Sequence, residues 1–402
     1  NLETMNLLVV GAGYVGLITA LGFAKLGNKV NVVDLNKDII NELSNRRPTF
    51  YEPELKEFLN NKKLNINFFD NYEDAMSNDT EFVFVCVQTP SNEIGKVDTL
   101  YIQSVLSTLK SFNQNFSICI KSTIQSNVIE TICVDEGIDF TQIIFNPEFL
   151  REGSAIYDFF HPDRIVIGGT NNLAIDRCKL LYDDFECEIV VTDSISSQII
   201  KYLSNTYLAM RLSYVNEAYR LISDLGGNPG DAIRGIGLDN RIGLNYFRPS
   251  PGWGGSCFPK DVNEIINTYS SKFDIPLIDK IVESNENHQI WFANKLLEIS
   301  QNNELKNIIL IRAPFKENTD DLRDSPSIKV FEILNNKTKN VYIYEDEVDI
   351  PENVRVIKGI DELLDNSLYV QMFPEKSANR NKLLFEINNL ENSMLWQMWD
   401  DK

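Results

Sequence analysis

Histidine is almost absent: the 402 residues contain two, His161 and His288. Chemistry built on a histidine base or a histidine-rich metal site has little to draw on, and no metal is expected. Positive charge is also short. Lys and Arg number 38 against 58 Asp and Glu, a formal net charge of −20. That balance argues against nucleic acid or an anionic membrane as the main partner, and leaves room for a phosphate-bearing small molecule held locally. No apolar run reaches the roughly 18–20 residues of a membrane span. Leu7-Leu-Val-Val10 is too short for the apolar part of a signal peptide. The six cysteines are scattered without paired metal spacing, which in a chain of this length fits reduced thiols in the cytoplasm. Asn1-Leu-Glu-Thr4 precedes Met5 and reads as a cloning remnant outside the fold.

What is present is a strong opening pattern. The apolar run Leu7-Leu-Val-Val10 ends in Gly11-Ala-Gly13-Tyr-Val-Gly16. A helical segment follows to Leu26, then Gly27-Asn28, then a second apolar run, Val30-Asn-Val-Val33, ending at Asp34. Strand, glycine turn, helix, strand and acid stand in the order of a dinucleotide site. The first glycine makes the tight turn, the second admits a pyrophosphate, and the third lets helix and strand pack closely. Asp34 suits a ribose diol and repels a 2′-phosphate, which favours NAD over NADP.

More β/α units follow. Phe82-Val-Phe-Val-Cys-Val87 is apolar throughout, as a strand buried on both faces should be, and Gln88-Thr-Pro90 breaks it. Ser117-Ile-Cys-Ile-Lys121 ends in Ser122-Thr123. Ile143-Ile-Phe145 ends in Asn146-Pro-Glu-Phe-Leu-Arg-Glu152. In a parallel sheet such loops fall at the carboxyl ends, where ligands bind. Asp163-Arg-Ile-Val-Ile-Gly168 and Glu188-Ile-Val-Val191 add strands to the same domain. From Ser194 to Leu225 there is neither proline nor glycine, and apolar residues recur at helical spacing until Gly226-Gly-Asn-Pro229. About 30 residues make a helix about 45 Å long, suited to joining domains and to packing on a partner chain. A second β/α series starts at Ile308-Ile-Leu-Ile311 and lacks the glycine motif. The expected fold class is α/β, with two Rossmann-like doubly wound domains (5–193 and 304–402) joined by a long central helix and a helical middle domain (194–303).

The middle domain carries Arg248-Pro-Ser-Pro-Gly-Trp-Gly-Gly-Ser-Cys-Phe-Pro-Lys-Asp261. Pro259 suits the first turn of a helix, which puts Cys257 at its N-terminus with Lys260 three residues on. Both features favour a nucleophilic thiolate. By itself the stretch reads equally well as a turn with a packed cysteine.

Seven motifs in order, from Gly11-x-Gly-x-x-Gly16 to Phe315-Lys-x-x-Thr-x-Asp-x-Arg-x-Ser-Pro326, make the sequence resemble the UDP-glucose/GDP-mannose 6-dehydrogenase family. The others are Lys121-Ser-Thr123, Asn146-Pro-Glu-Phe-Leu-Arg-Glu152, Lys201-x-x-x-Asn205-Thr-Tyr, Asp239-x-Arg-Ile-Gly243 and Gly252-x-Gly-Gly-x-Cys257-x-Pro-Lys-Asp261. The resemblance implies a four-electron oxidation of a nucleotide-bound hexose at its sixth carbon, with NAD as acceptor and the cysteine capturing the aldehyde. It implies Cys257 as nucleophile, and Lys201 with Asn205 stabilising an oxyanion. Thr123 and Asp261 would hold a water, with Glu148 or Glu152 as base. For the cofactor it implies Gly11, Gly13, Tyr14, Val15, Gly16, Asp34, Thr89, Thr123, Glu152, Lys260 and Arg323. For the sugar nucleotide it implies Phe149, Leu150, Arg151, Glu152, Lys201, Asn205, Tyr246, Gly254, Phe315 and Lys316, with Arg241 reaching a neighbouring subunit of a homodimer formed through the long helix. Asp239-x-Arg-Ile-Gly243 favours UDP-glucose over GDP-mannose, and Ser256 stands where enzymes of N-acetylated sugars carry histidine. The alternative outside the enzymes is a non-catalytic nucleotide-sugar or NAD-binding protein. No arginine can be placed in a closing Asp-Gly-Arg or Gly-Arg-Asp segment of the kind often found at the family's C-terminal end.

Overall fold

The computed structural model describes residues 4–90, 97–112, 115–375 and 377–398. Of the stretch read as a cloning remnant, residues 1–3 lie outside these. Residues divide into two compact units, one up to Ser204 and one from Asn205.

The first unit is built on an eight-stranded sheet. Its strands are β1 (Asn6–Val10), β2 (Lys29–Val33), β3 (Ile66–Phe69), β4 (Phe82–Val85), β5 (Ser117–Ile120), β6 (Ile143–Phe145), β7 (Arg164–Gly169) and β8 (Glu188–Thr192). They lie in the order β3-β2-β1-β4-β5-β6-β7-β8, which places the chain reversal beside β1. β4 is buried along its whole length, as its unbroken apolar run requires. Apolar residues of β1 divide between the two faces: Leu7 and Val9 enter one core cluster, Leu8 and Val10 the other. Period-two alternation therefore feeds both helical layers. Two strands run against the other six. β7 pairs antiparallel with β6, and β8 is parallel to β7. The Asn146–Asp163 connection holds only one short helix, Ala155–Phe160, and an antiparallel return needs no full crossover.

In the second unit β9 (Asn307–Ile311), β10 (Val341–Tyr344), β11 (Val356–Ile357), β12 (Ser367–Gln371) and β13 (Met394–Trp396) form an all-parallel sheet, in the order β11-β10-β9-β12-β13. In place of the glycine turn stands Arg312, at a left-handed φ of 78°. Its guanidinium is buried among Glu345 (2.9 Å), Asp346 (3.5 Å), Glu347 (3.0 Å) and Glu375 (3.6 Å). Four carboxylates compensate a charge that burial alone would make costly.

The long helix spans Ser194–Asp224, 31 residues, as the absence of proline and glycine predicts. The next helix, Pro229–Gly237, starts on the Asn228 side chain, which accepts from Asp231 N, with Pro229 in its first turn. The helical middle continues with Phe258–Tyr269, Pro276–Asp279 and Ile281–Asn302. Pro276 stands in the first turn of the second of them, where a missing N–H costs nothing.

Candidate active site

In the first unit the glycine turn is shaped as the sequence predicts. Gly11 has φ of 99°, and a Cβ on Gly16 would lie 1.8 Å from Gly11 O. Around Gly13 nothing lies within 4 Å of where a Cβ would stand. Asp34, at the end of β2, accepts from Ala12 N (2.8 Å) through Oδ2 and from Asn36 N (2.9 Å) through Oδ1. It thus braces the turn, and each oxygen keeps a lone pair for a ribose hydroxyl. Tyr14 and Val15 open the helix Tyr14–Lys25. Thr89 and Thr123 are buried just past β4 and β5.

Glu148 and Lys201 form a buried ion pair, Nζ to Oε1 3.0 Å, with side chains 8% and 4% exposed. The other oxygen of Glu148 accepts from Leu150 N (2.6 Å). Phe149 lies beneath the Arg164 guanidinium, 3.6 Å from carbon to ring centroid, with Lys201 Nζ at 5.4 Å from the same ring. The loop is tied at its start by Lys121, whose buried Nζ donates to Asn146 O (3.2 Å) and Oδ1 (3.0 Å). Burial pushes that amine below its usual pKa. Arg151 is exposed and pairs with the buried Asp158. Glu152 is half-buried, and Leu150 packs on the main core.

In the second unit Cys257 is the N-cap residue of the helix Phe258–Tyr269 and is partly exposed. Its thiol lies 3.5 Å from Ser256 Oγ. Asp261, one turn on, is 1% exposed. It accepts from Asn205 Nδ2 (2.6 Å) and pairs with Lys260 Nζ (3.1 Å). Gly254 and Gly255 press the loop onto the turn after β9: a Cβ on Gly254 would lie 1.9 Å from Asp324 O, and one on Gly255 2.8 Å from the Phe315 ring. Lys316 Nζ stands 5.4 Å from the Phe315 centroid. Arg323 pairs with Asp321 and Arg241 with Asp239, both on the surface. Tyr246 is partly exposed at φ 55°.

Sequence reasoning missed the residues that brace these loops. Asn285 accepts from Trp253 N (3.0 Å) and donates to Trp253 O (2.9 Å). Asn216 accepts from Ser250 N (2.9 Å), and the Trp253 indole donates to Ser213 Oγ (2.8 Å). Trp253 is therefore a core side chain. His288 Nε2 donates to Ser250 O (2.7 Å), while Nδ1 is buried without a partner among the described residues. Burial lowers its pKa from 6.5 to about 4. A second proton would have to sit on that lone Nδ1. Because the folded value is depressed, the stabilisation is full above about pH 6.5 and is lost as pH falls toward 4, by roughly 3 kcal/mol in all. His288→Gln, which keeps a donor and does not titrate, should flatten the acid limb of a plot of urea midpoint against pH in that window. An unchanged limb would remove His288 from the account.

Three family models match the chain in sequence: the NAD binding domain of the UDP-glucose/GDP-mannose dehydrogenase family over residues 5–186, its central domain over 195–287, and its UDP binding domain over 309–375. The chain belongs to the UDP-glucose/GDP-mannose dehydrogenase family. It is an NAD-dependent oxidoreductase. A UDP-glucose 6-dehydrogenase of Rickettsia felis is 35% identical over 351 residues, 84% of this chain and 77% of that protein. One from Rhizobium meliloti is 35% identical over 89% of this chain and 85% of its own. A UDP-glucose dehydrogenase structure from Pyrobaculum islandicum superposes with a TM-score of 0.84 at 30% identity, covering 93% of this chain and 90% of that one. The tight Gly11–Gly16 approach, the open space over Gly13 and the braced Asp34 fit a dinucleotide, whose nicotinamide would supply a hydride acceptor. Among the described residues no helix is long and apolar enough to cross a membrane.

Proposed function

We propose that this family member oxidises UDP-glucose to UDP-glucuronate, with two NAD reduced per sugar. The observation that carries this reading is Cys257 at the N-cap of its helix, one turn from an Asp261 fixed by Asn205, in a chain that also holds a dinucleotide turn. The hexose primary alcohol loses a hydride and a proton to become an aldehyde. The Cys257 sulfur adds to it, forming a C–S bond and an oxyanion that takes up a proton. The thiohemiacetal loses a second hydride and a proton to become a thioester. Water adds, the C–S bond breaks, the acid leaves and the Cys257 thiol is restored. Lys201 and Asn205 stabilise the oxyanions. Thr123 and Asp261 hold the water, and the base is Glu148 or Glu152. Phe149, Leu150, Arg151, Tyr246, Gly254, Phe315 and Lys316 hold the sugar nucleotide, and Arg241 serves the neighbouring subunit. Thr89, Lys260 and Arg323 join the glycine turn around NAD.

The domain reading that goes with this is NAD binding over 5–193, a helical middle over 194–303 and UDP binding over 304–402. The exposed Leu203, Tyr207, Tyr214 and Leu221 of the long helix support a homodimer formed along it. Six free cysteines suit the cytoplasm. Purified protein given NAD and a panel of nucleotide sugars should form two NADH for each UDP-glucose consumed. Turnover of GDP-mannose alone would overturn the substrate assignment.

A further inference from the structure

The residue this mechanism leaves unused, and that the structure places most tellingly, is Glu52. It sits in the segment before the helix Leu55–Asn60 and is 5% exposed. Its carboxylate accepts three hydrogen bonds from two distant places: from the Tyr14 hydroxyl (2.8 Å), from Gly153 N (2.8 Å) and from Ala155 N (2.7 Å). Tyr14 is the first residue of the helix that follows the glycine turn. Gly153 follows Glu152, and Ala155 opens the next short helix. The Tyr14 hydroxyl also lies 3.1 Å from Arg151 O. The peptide groups on both sides of Glu152 are therefore tied to the Tyr14–Glu52 pair. Burial, with Glu52 beside it, holds the Tyr14 hydroxyl above its ordinary pKa, so it remains a donor.

We infer that Glu52 is a positioning residue, which with Tyr14 couples occupancy of the dinucleotide turn to the placement of the loop that carries Glu152. The inference rests on the catalytic reading for its consequence, and on the NAD-binding turn alone for its test. A dinucleotide seated on Gly11–Gly16 orders Tyr14. An ordered Tyr14 fixes Glu52, and Glu52 fixes Gly153 and Ala155. Glu52→Gln leaves one carbonyl oxygen and an NH2 facing three donors, so at least one donor loses its acceptor. Tyr14→Phe removes one link and keeps the ring against Phe50, 5.2 Å between centroids.

Hydrogen exchange of the peptide spanning residues 148–156, with and without saturating NAD, reads the coupling without any sugar. In the unaltered protein NAD should slow exchange there by about fivefold or more, a modest shift in local opening. In Tyr14→Phe, and in Glu52→Gln if it folds, that slowing should vanish, while slowing at residues 11–18 persists. Steady-state kinetics of Glu52→Gln should then show the loss mostly in kcat, with KM for NAD changed by less than about threefold, because Glu52 is not among the residues assigned to the cofactor. A merely structural Glu52 would lower thermal stability and leave the NAD-dependent slowing intact, and that result overturns the inference. So does a 148–156 segment indifferent to NAD in protein that still binds it. UDP-glucose turnover by such protein would show the coupling wrong and the catalytic reading sound. Intact coupling without sugar oxidation would show the reverse.

Discussion

Cys257→Ser should abolish conversion of UDP-glucose to the acid, by on the order of 10⁴-fold or more, as loss of a catalytic nucleophile typically does. The substitution is close to isosteric. Ser256 Oγ stands 3.5 Å from the sulfur, a contact serine can keep, and the N-cap position accepts serine well. The melting temperature should therefore stay within a few degrees, and NAD affinity should not change. The informative measurement is single-turnover NADH formation. A serine hydroxyl lacks the nucleophilicity to capture the aldehyde, so the second hydride transfer fails and at most one NADH forms per active site. Full turnover to the acid in this variant would rule out the covalent mechanism.

Lys201→Met should be costly to both fold and activity. The Lys201–Glu148 pair is buried on both sides, and removing the cation leaves a buried carboxylate without its countercharge. Breaking such a pair costs roughly 3–5 kcal/mol. For a unit of this size that lowers the melting temperature by about 6–20 °C. Adding Glu148→Leu to Lys201→Met removes the stranded charge, and a matched apolar pair in place of a buried ion pair is often neutral or stabilising. The double variant should recover most of the lost melting temperature and none of the lost turnover. Thermal unfolding and kcat measured on the same three proteins, with Glu148→Leu alone as the control for loss of that carboxylate, separate the two roles. If turnover recovered with stability, Lys201 would be a structural cation and no more.

The sequence was most legible where one local rule decides the outcome. Thirty-one residues free of proline and glycine form one helix, and Gly11, Gly13 and Gly16 make the turn their spacing demands. The loop acids Glu148 and Glu152 stood out because they follow a strand-like run directly. Less legible were features that depend on chain distance. Glu52 meets Ala155 across 103 residues, and His288 meets Ser250 across 38. No local period links such pairs, so each looked like an ordinary helical or loop polar residue. The direction of β7 was hidden for a related reason. An apolar run buried in a sheet has the same composition whichever way it points, and pairing with β6 is settled by the connection between them. Ile66–Phe69 was missed because Asn65 and Asn67 interrupt its apolar pattern.

The arrangement of the thiols has a practical consequence. Cys86, Cys119, Cys133 and Cys178 are all deeply buried. Burial raises Cys86 to about 12, Cys133 to about 11 and Cys119 well above the usual thiol value, and it also raises the half-buried Cys187. Cys257 alone combines partial exposure with a helix N-terminus. Thiolate reagents select for that combination. A mild alkylating agent is thus directed to one sulfur in the native protein, so a fluorophore or crosslinker can be installed at Cys257 with the other five cysteines left in place.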